Sequence, residues 1–382
     1  MVDALLRSDL AGRVSMRFFN TYRPRDPRRA LAERLRYQWG MIRALRRELV
    51  RHPVDLVHLH SSSGVNFHQN AFYSLVARLS GVPVVFQMHC GMFESFYRTS
   101  PAPIRAWIRW ILTRATRVAV LSRAWYERMS DLFPRARRVL VTNGLEECEI
   151  GRLEVDRSPG PSQVLFVGAG HEDLNRDKGL DDLLAVLPEV ARRHPDASWV
   201  IAGLPHPEEV RRRQERQGLA GSLPAGAIRY LGIVEGEEKD ALLRESTILV
   251  LPSYFESMPI LILEAMAAGL SVVATRLGAI PEMLGEGRGG LLVSPGDRAG
   301  LQRALDELLS CPSLAGDQGR RNRVAVHREY TLERMQKTLE DLYREAAGWP
   351  ARRAAAEIPP SISPGRAVTG AVVLPNRPAV RK

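Results

Sequence analysis

Residues 248–275 read ILVLPSYFESMPILILEAMAAGLSVVAT, and their punctuation spells strand, loop, helix, strand. The apolar run 248–251 has strand length, Pro252 stops it, a polar loop covers 253–258, and Pro259 opens a helix. Gly269 ends that helix, and the following apolar run forms a second strand. Glu256 lies in the loop and Glu264 in the helix. A helix beginning near Ser257 puts residue 264 two turns on, close to the same face and about 10 Å along the axis. The N–H groups of Ser257, Met258 and Ile260 would then face a ligand's oxygens at the positive end of the helix, and Pro259 lacks only a donor that would be spare. Glu264 interrupts an otherwise apolar run, 260–268, so it needs a polar partner; a ribose donating two hydroxyl hydrogen bonds is one.

The strings PSYFESMP (252–259) and LEAMAAG (263–269) closely resemble the signature of glycosyltransferase family 4, the group 1 glycosyl transferases, which are retaining enzymes of the GT-B fold. The likeness continues through VVAT, GAIPEML, GGLLVSPGD and YTLERMQKTLEDLYREA, and backwards through NGLEE, HLHSSSG and QMHCGMF, so it covers roughly residues 14–347. It implies an α/β protein of two Rossmann-like domains facing a cleft, with sugar moved from a nucleotide diphosphate sugar to a hydroxyl acceptor and the anomeric configuration retained. By the same resemblance Glu256 binds hydroxyls of the donor sugar, Glu264 binds the ribose, and His89 faces the transferred sugar or the leaving phosphate.

Other site residues come from pattern and position. Residues 164–167 form a strand that runs into Gly168-Ala169-Gly170 and the polar loop HEDLNRDKG before a helix, the general plan of a phosphate site. A departing diphosphate needs cationic donors, and Lys178 is the first choice. The family commonly has Arg directly after the strand's glycine; Ala169 stands there, and Arg176 is the candidate substitute. Gly232 and Ile233 end a further strand, where the family lays a nucleobase against the backbone. In the first half, the strand DLVHLH is followed by a small polar loop at the carboxyl end where ligands of open α/β sheets bind, which makes His60, Ser61, Ser62 and Gly64 acceptor-side candidates. No metal is expected: the pair Asp181-Asp182 sits in a helix and side-chain cations stand in for Mg²⁺. No cofactor is expected beyond the nucleotide sugar as co-substrate.

A chain of 382 residues accommodates two domains. The expected boundaries are 1–144 for an acceptor domain, 145–162 for a linker, 163–347 for a nucleotide-sugar domain and 348–382 for a disordered tail of Pro, Ala and Arg. The first domain is expected to lack the N-terminal strand of its fold, which would leave two central strands with unpaired backbone groups; reading upstream in frame would then show a Val/Ile-rich run and a glycine pair. Three cysteines match neither a disulfide framework nor a zinc pattern, and no apolar run reaches bilayer length, so a cytoplasmic protein is expected, at the inner face of the membrane if it meets one. The net charge of +11 is uneven: residues 1–144 hold 24 Arg against 9 acids. Two basic segments with interleaved aromatics, 28–51 and 104–112, suit an anionic lipid surface. Nucleic acid is not an expected partner. The expected function is therefore a metal-independent retaining hexosyltransferase of polysaccharide or glycolipid synthesis; the alternative is a truncated, catalytically inactive GT-B binding protein.

Overall fold

A computed structural model describes residues 10, 14–21, 30–89, 91–155, 162–168, 177–204, 206, 208–219, 228–349 and 371–376. The chain divides into two compact units, Met1–Thr142 with Met335–Lys382, and Asn143–Arg334.

The first unit opens with β1 (Ser15–Asn20), α1 (Leu31–Arg51), β2 (Val57–Ser61), α2 (Val65–Leu79), β3 (Val84–Met88), α3 (Phe93–Thr99), α4 (Ala102–Arg114), β4 (Arg117–Val120), α5 (Arg123–Leu132) and β5 (Arg138–Leu140). Because strand side chains alternate, Val57 and Leu59 of β2 share one face with Val84, Phe86 and Met88 of β3, and this face packs on Phe67 and Ala71 of α2 and Ile108 and Leu112 of α4. The opposite face of the same two strands carries His58, His60 and Gln87, all buried.

The second unit runs through α6 (Glu147–Leu153), β6 (Gln163–Val167), α7 (Leu180–Arg193), β7 (Ser198–Ala202), α8 (Glu208–Arg216), β8 (Ile228–Tyr230), α9 (Gly236–Glu245), β9 (Ile248–Leu251), α10 (Ile260–Ala267), β10 (Ser271–Thr275), α11 (Ile280–Met283), β11 (Gly290–Val293), α12 (Arg298–Ser310) and α13 (Pro312–Glu329). Its sheet has the order β11-β10-β9-β6-β7-β8, every pair parallel. Strands covered on both faces read as unbroken apolar runs, and ILVL of β9 is buried throughout. β6 leads outward to β7 on one side while β9 leads outward to β10 on the other. The order therefore reverses between β6 and β9, and the crevice outside their carboxyl ends is where sheets of this kind bind ligands. Residues 147–153, expected to belong to a linker, form α6 instead: Glu149 accepts from the N–H of Glu146 at 2.9 Å in a capping box, and Ile150 and Leu153 are buried.

The chain then returns to the first unit with most of α14 (Leu332–Ala347) and with β12 (Ala371–Asn376). The segment expected to be disordered thus supplies a strand, and the two strands expected to be left unpaired are paired by it. The first-unit sheet has the order β1-β12-β2-β3-β4-β5, so the central position next to β1 and β2 is taken by a strand from the segment expected to be disordered. β12 runs antiparallel to both neighbours, in the register Phe18↔Val373 and Leu59↔Val372. Two parallel strands with facing unpaired N–H and C=O groups accept any extended segment that can reach them, and an antiparallel one satisfies them as well as a parallel one.

Candidate active site

The crevice of the second unit brings together the loops that follow β6 and β9. Gly179 lies at φ +77°, and an added Cβ there would sit 2.0 Å from the carbonyl oxygen of Pro252, so only glycine lets the chain pass this close. The N–H of Tyr254 donates to the carbonyl of Asp177 at 2.8 Å, which fixes the two loops side by side. Lys178 is thereby delivered to Glu256: Nζ donates to Oε1 at 2.6 Å, and Ser253 Oγ donates to the same oxygen at 2.9 Å. The Glu256 side chain is 8% exposed and that of Lys178 28%, so this pair is shielded yet reachable.

The loop itself is anchored on three sides. Thr275 Oγ1 donates to the carbonyl of Ser253 at 2.7 Å, Ala279 N donates to that of Ser257 at 2.6 Å, and Asn143 Nδ2 donates to that of Met258 at 3.0 Å. The helix starts later than its expected origin at Ser257: Pro259 is its N-cap at φ −70°, ψ 124°, and α10 begins at Ile260. A proline holds the residue before it out of the helical region, so Met258 cannot join the first turn. Ser257 and Met258 therefore precede the helix tip, whose first orphan N–H groups belong to Ile260 and its successors. Glu264, the carboxylate that breaks the apolar run, has a protein partner: Lys239 Nζ of α9 donates to its Oε1 at 2.6 Å. Nearby, Asp182 accepts from Tyr254 Oη at 2.6 Å and from Arg298 Nε at 2.7 Å, and Asp181 accepts from Arg213 at 2.8 Å. Among the described residues no cluster of three His, Cys, Asp or Glu could hold a metal ion.

Backbone ends line the same edge. Gly168 N donates to Ala202 O and Gly203 N to Gly232 O, both at 2.8 Å, and Ile233 beyond β8 is 56% exposed. Gly170 and Arg176 lie outside the described residues.

In the first unit, His89 follows β3 and its N–H extends the ladder to Ser61 O at 2.8 Å. Its Nε2 meets Nδ1 of His60 at 2.9 Å. His60 and Ser61 are buried, so their side chains point into the protein; Ser62 and Gly64 are partly exposed, and Ser62 N donates to Asn66 Oδ1 at 2.7 Å. Burial holds His58 down to about 3, aided by the neighbouring His89, and holds His89 down to about 4. The same desolvation, with His58 and His89 adjacent, keeps His60 well below the ordinary histidine value.

A family model described as "Glycosyl transferases group 1" matches residues 161–311, and one described as "Glycosyl transferase 4-like domain" matches residues 7–144. A phosphatidyl-myo-inositol mannosyltransferase of Mycobacterium leprae is 31% identical over 280 residues, 72% of this chain and 70% of that protein. The chain belongs to the group 1, family 4 glycosyltransferases. A second relative, a glycogen synthase of Mycobacterium tuberculosis, is 26% identical over 239 residues, which is 62% of this chain but only 56% of the synthase. The crystal structure of HepE of Anabaena in complex with UDP superposes with a TM-score of 0.64 at 14% identity, covering 79% of this chain and 81% of that one, in agreement with the GT-B fold.

Two residues of this candidate site were missed in the sequence, Lys239 and Asn143. One signal pointed to Lys239: only four of the 54 cationic residues are lysines, and two of those four, Lys178 and Lys239, pair with Glu256 and Glu264. Away from the site, adjacent helices of the first unit expose Leu35 and Trp39 on α1, Phe72 on α2 and Trp110 on α4. Trp107 and Trp110 stack at 5.5 Å, Phe72 lies 5.7 Å from Trp107, and the Arg114 guanidinium sits 5.1 Å over Trp110. No helix among the described residues is long and apolar enough to cross a membrane.

Proposed function

We propose that this glycosyltransferase moves a hexose, with retention, from a nucleotide diphosphate sugar to a hydroxyl acceptor, and does so without a metal ion. The observation that carries this reading is the Lys178–Glu256 pair, set where the strand order reverses and beside the start of α10. In the ligand-free protein each charge neutralises the other. When the donor enters, its diphosphate takes Lys178 and the first N–H groups of α10, and Glu256 is released to accept from sugar hydroxyls. Glu264 exchanges part of its bond from Lys239 for ribose hydroxyls.

In the transfer step the bond between the anomeric carbon and the diphosphate oxygen breaks as positive charge builds on the sugar. Lys178 and the amide tip stabilise the departing dianion. The acceptor oxygen bonds to the anomeric carbon from the same face, and its proton passes to the departing phosphate. His89 supplies a hydrogen bond to the sugar or phosphate. UDP in HepE and the names of the two mycobacterial relatives support a nucleotide sugar as donor and a glycan or the polyol head of a lipid as acceptor, the second in keeping with the expected lipid-linked acceptor. The aromatic and basic face of α1, α2 and α4 suits an acceptor presented at an anionic membrane; sedimentation with vesicles of anionic lipid, lost in Trp110→Ser, tests that part.

The deciding experiment is a thermal-shift screen of UDP-, GDP- and ADP-sugars followed by a transfer assay with and without EDTA. A true donor at a hundred times its dissociation constant stabilises the fold by roughly 2.7 kcal/mol. Transfer that survives EDTA and keeps the donor's anomeric configuration is the expected result. Stabilisation without transfer or hydrolysis would replace this reading with that of a binding protein.

A further inference from the structure

His58 and His60 are two residues apart on β2 and so share a face; His60 is in register with Gln87 of β3, and His89 lies two residues beyond Gln87 on that same face. The result is a column of imidazoles. His58 and His60 have ring centroids 4.3 Å apart, while His60 and His89, bonded nitrogen to nitrogen, lie nearly edge to edge with centroids 5.1 Å apart and planes 23° apart. Behind the column Tyr343 Oη meets His58 Nδ1 at 2.6 Å, Asn70 Nδ2 donates to the His60 carbonyl at 3.1 Å, and the His60 ring is buried.

We propose that His60 is a positioning residue for His89: its Nδ1–H donates to His89 Nε2 and holds His89 in the tautomer that carries its proton on Nδ1. The direction follows from what each nitrogen would be left with. His60 Nε2 is fully buried and has no partner among the described residues. With the proton on Nε2, a buried N–H donor would be stranded; with the proton on Nδ1, the stranded group is a lone pair, which folded proteins tolerate more readily than an orphaned N–H. His89 is only half-buried, unlike His58 and His60, and with Nε2 taken by His60 its Nδ1 is the nitrogen left for a ligand. His89 then presents a neutral N–H, which can donate to a phosphate or sugar oxygen, whereas the opposite tautomer would present a lone pair that repels one. Free imidazole side chains in water favour the Nε2–H form, so the column inverts the ordinary preference.

The tautomer itself stands apart from the proposed activity; only its effect on transfer rests on that reading. Long-range proton–nitrogen correlation spectra of the full chain, labelled with ¹⁵N-histidine at pH 7.5, read the tautomer directly, with His89 assigned by its absence in His89→Gln. The expected result is a protonated Nδ1 and a bare Nε2 on His89. In His60→Leu the His89 signals should move to the Nε2–H pattern, and in His60→Asn, whose amide N–H can replace the ring donor, they should stay. An Nε2–H pattern in the unaltered protein, or a His89 pattern indifferent to His60→Leu, overturns the proposal; the first of these needs no variant to fold. Where transfer is measurable, His60→Leu should lower kcat by roughly 10- to 100-fold, the scale on which partners that orient a histidine act, with donor KM nearly unchanged and His60→Asn restoring most of the rate. A protein that transfers nothing, yet shows the Nδ1–H pattern, would sink the function above and leave the positioning role of His60 standing.

Discussion

Both units are built on a six-stranded, mainly parallel sheet covered by helices, and they treat buried polarity in opposite ways. At the carboxyl edge of the second-unit sheet, charges are kept and matched: Lys178 with Glu256, Lys239 with Glu264, Arg298 with Asp182. Each pair retains some exposure, so a charged ligand can trade places with one member. On the polar face of β2 and β3 in the first unit, ionisation is suppressed instead, and three histidines are held neutral in a row. A surface of matched charges can bind and release an anion; a neutral column can orient a hydrogen bond without changing charge over the working pH range.

Acid should separate the two most sharply. Folded values of about 3 for His58 and about 4 for His89 lie below the unfolded value near 6.5, so the unfolded chain binds more protons, and stability present at neutral pH drains away as pH falls from 6.5 towards 4. At pH 5 each of these two costs about 2 kcal/mol, a large share of a domain's stability. Hydrogen exchange followed at pH 7 and pH 5, corrected for intrinsic rates, should show the first unit opening before the second; simultaneous opening breaks the contrast.

The next effect concerns the matched charges. Lys178→Ala and Glu256→Ala should each lower transfer by about 2–4 kcal/mol, as lost charged contacts at a reacting centre do. Because the two side chains bond each other, the double variant should lose less than the sum, and a strictly additive double-mutant cycle would place them in independent roles. Smaller again is the contribution of β12. Deleting residues 371–382 should reduce amide protection in β1 and at residues 58 and 59 by about 1–2 kcal/mol, and unchanged protection would remove β12 from the sheet. Last, Lys239→Met leaves Glu264, 15% exposed, without its cation and should cost about 1–2 kcal/mol in the second unit, seen as a lower Tm. An unchanged Tm would make that pair a surface ornament.

Residues 248–275 were read almost correctly from their letters because local rules govern them. Apolar runs bounded by Pro252 and Gly269 set β9, α10 and β10, and the one error, the helix origin, came from overlooking what Pro259 does to Met258. The pairings were out of reach for the opposite reason. Lys178 and Glu256 are 78 residues apart, and His58 and Tyr343 are 285 apart; nothing in periodicity or turn chemistry marks such partners. Glu264 shows the boundary between the two kinds of inference. Its need for a partner was visible in the apolar run around it, while the identity of that partner depended on where the fold places α9. The strand in 371–376 was hidden for a third reason: its short AVVL run is embedded in Pro- and Arg-rich sequence, and only an open slot in a distant sheet gives it a use.

Gly278, at φ +52°, passes so close to the loop after β9 that a Cβ there would sit 2.3 Å from the carbonyl oxygen of Ser257 and 2.6 Å from that of Glu256. With Thr275, Ala279 and Asn143 gripping neighbouring carbonyls, the backbone of 253–258 has one shape available to it. If the loop holds the donor sugar as proposed, a change of sugar preference would have to come from exchanging side chains on a rigid frame, beginning with Tyr254, Phe255 and Ser257 and leaving loop length alone.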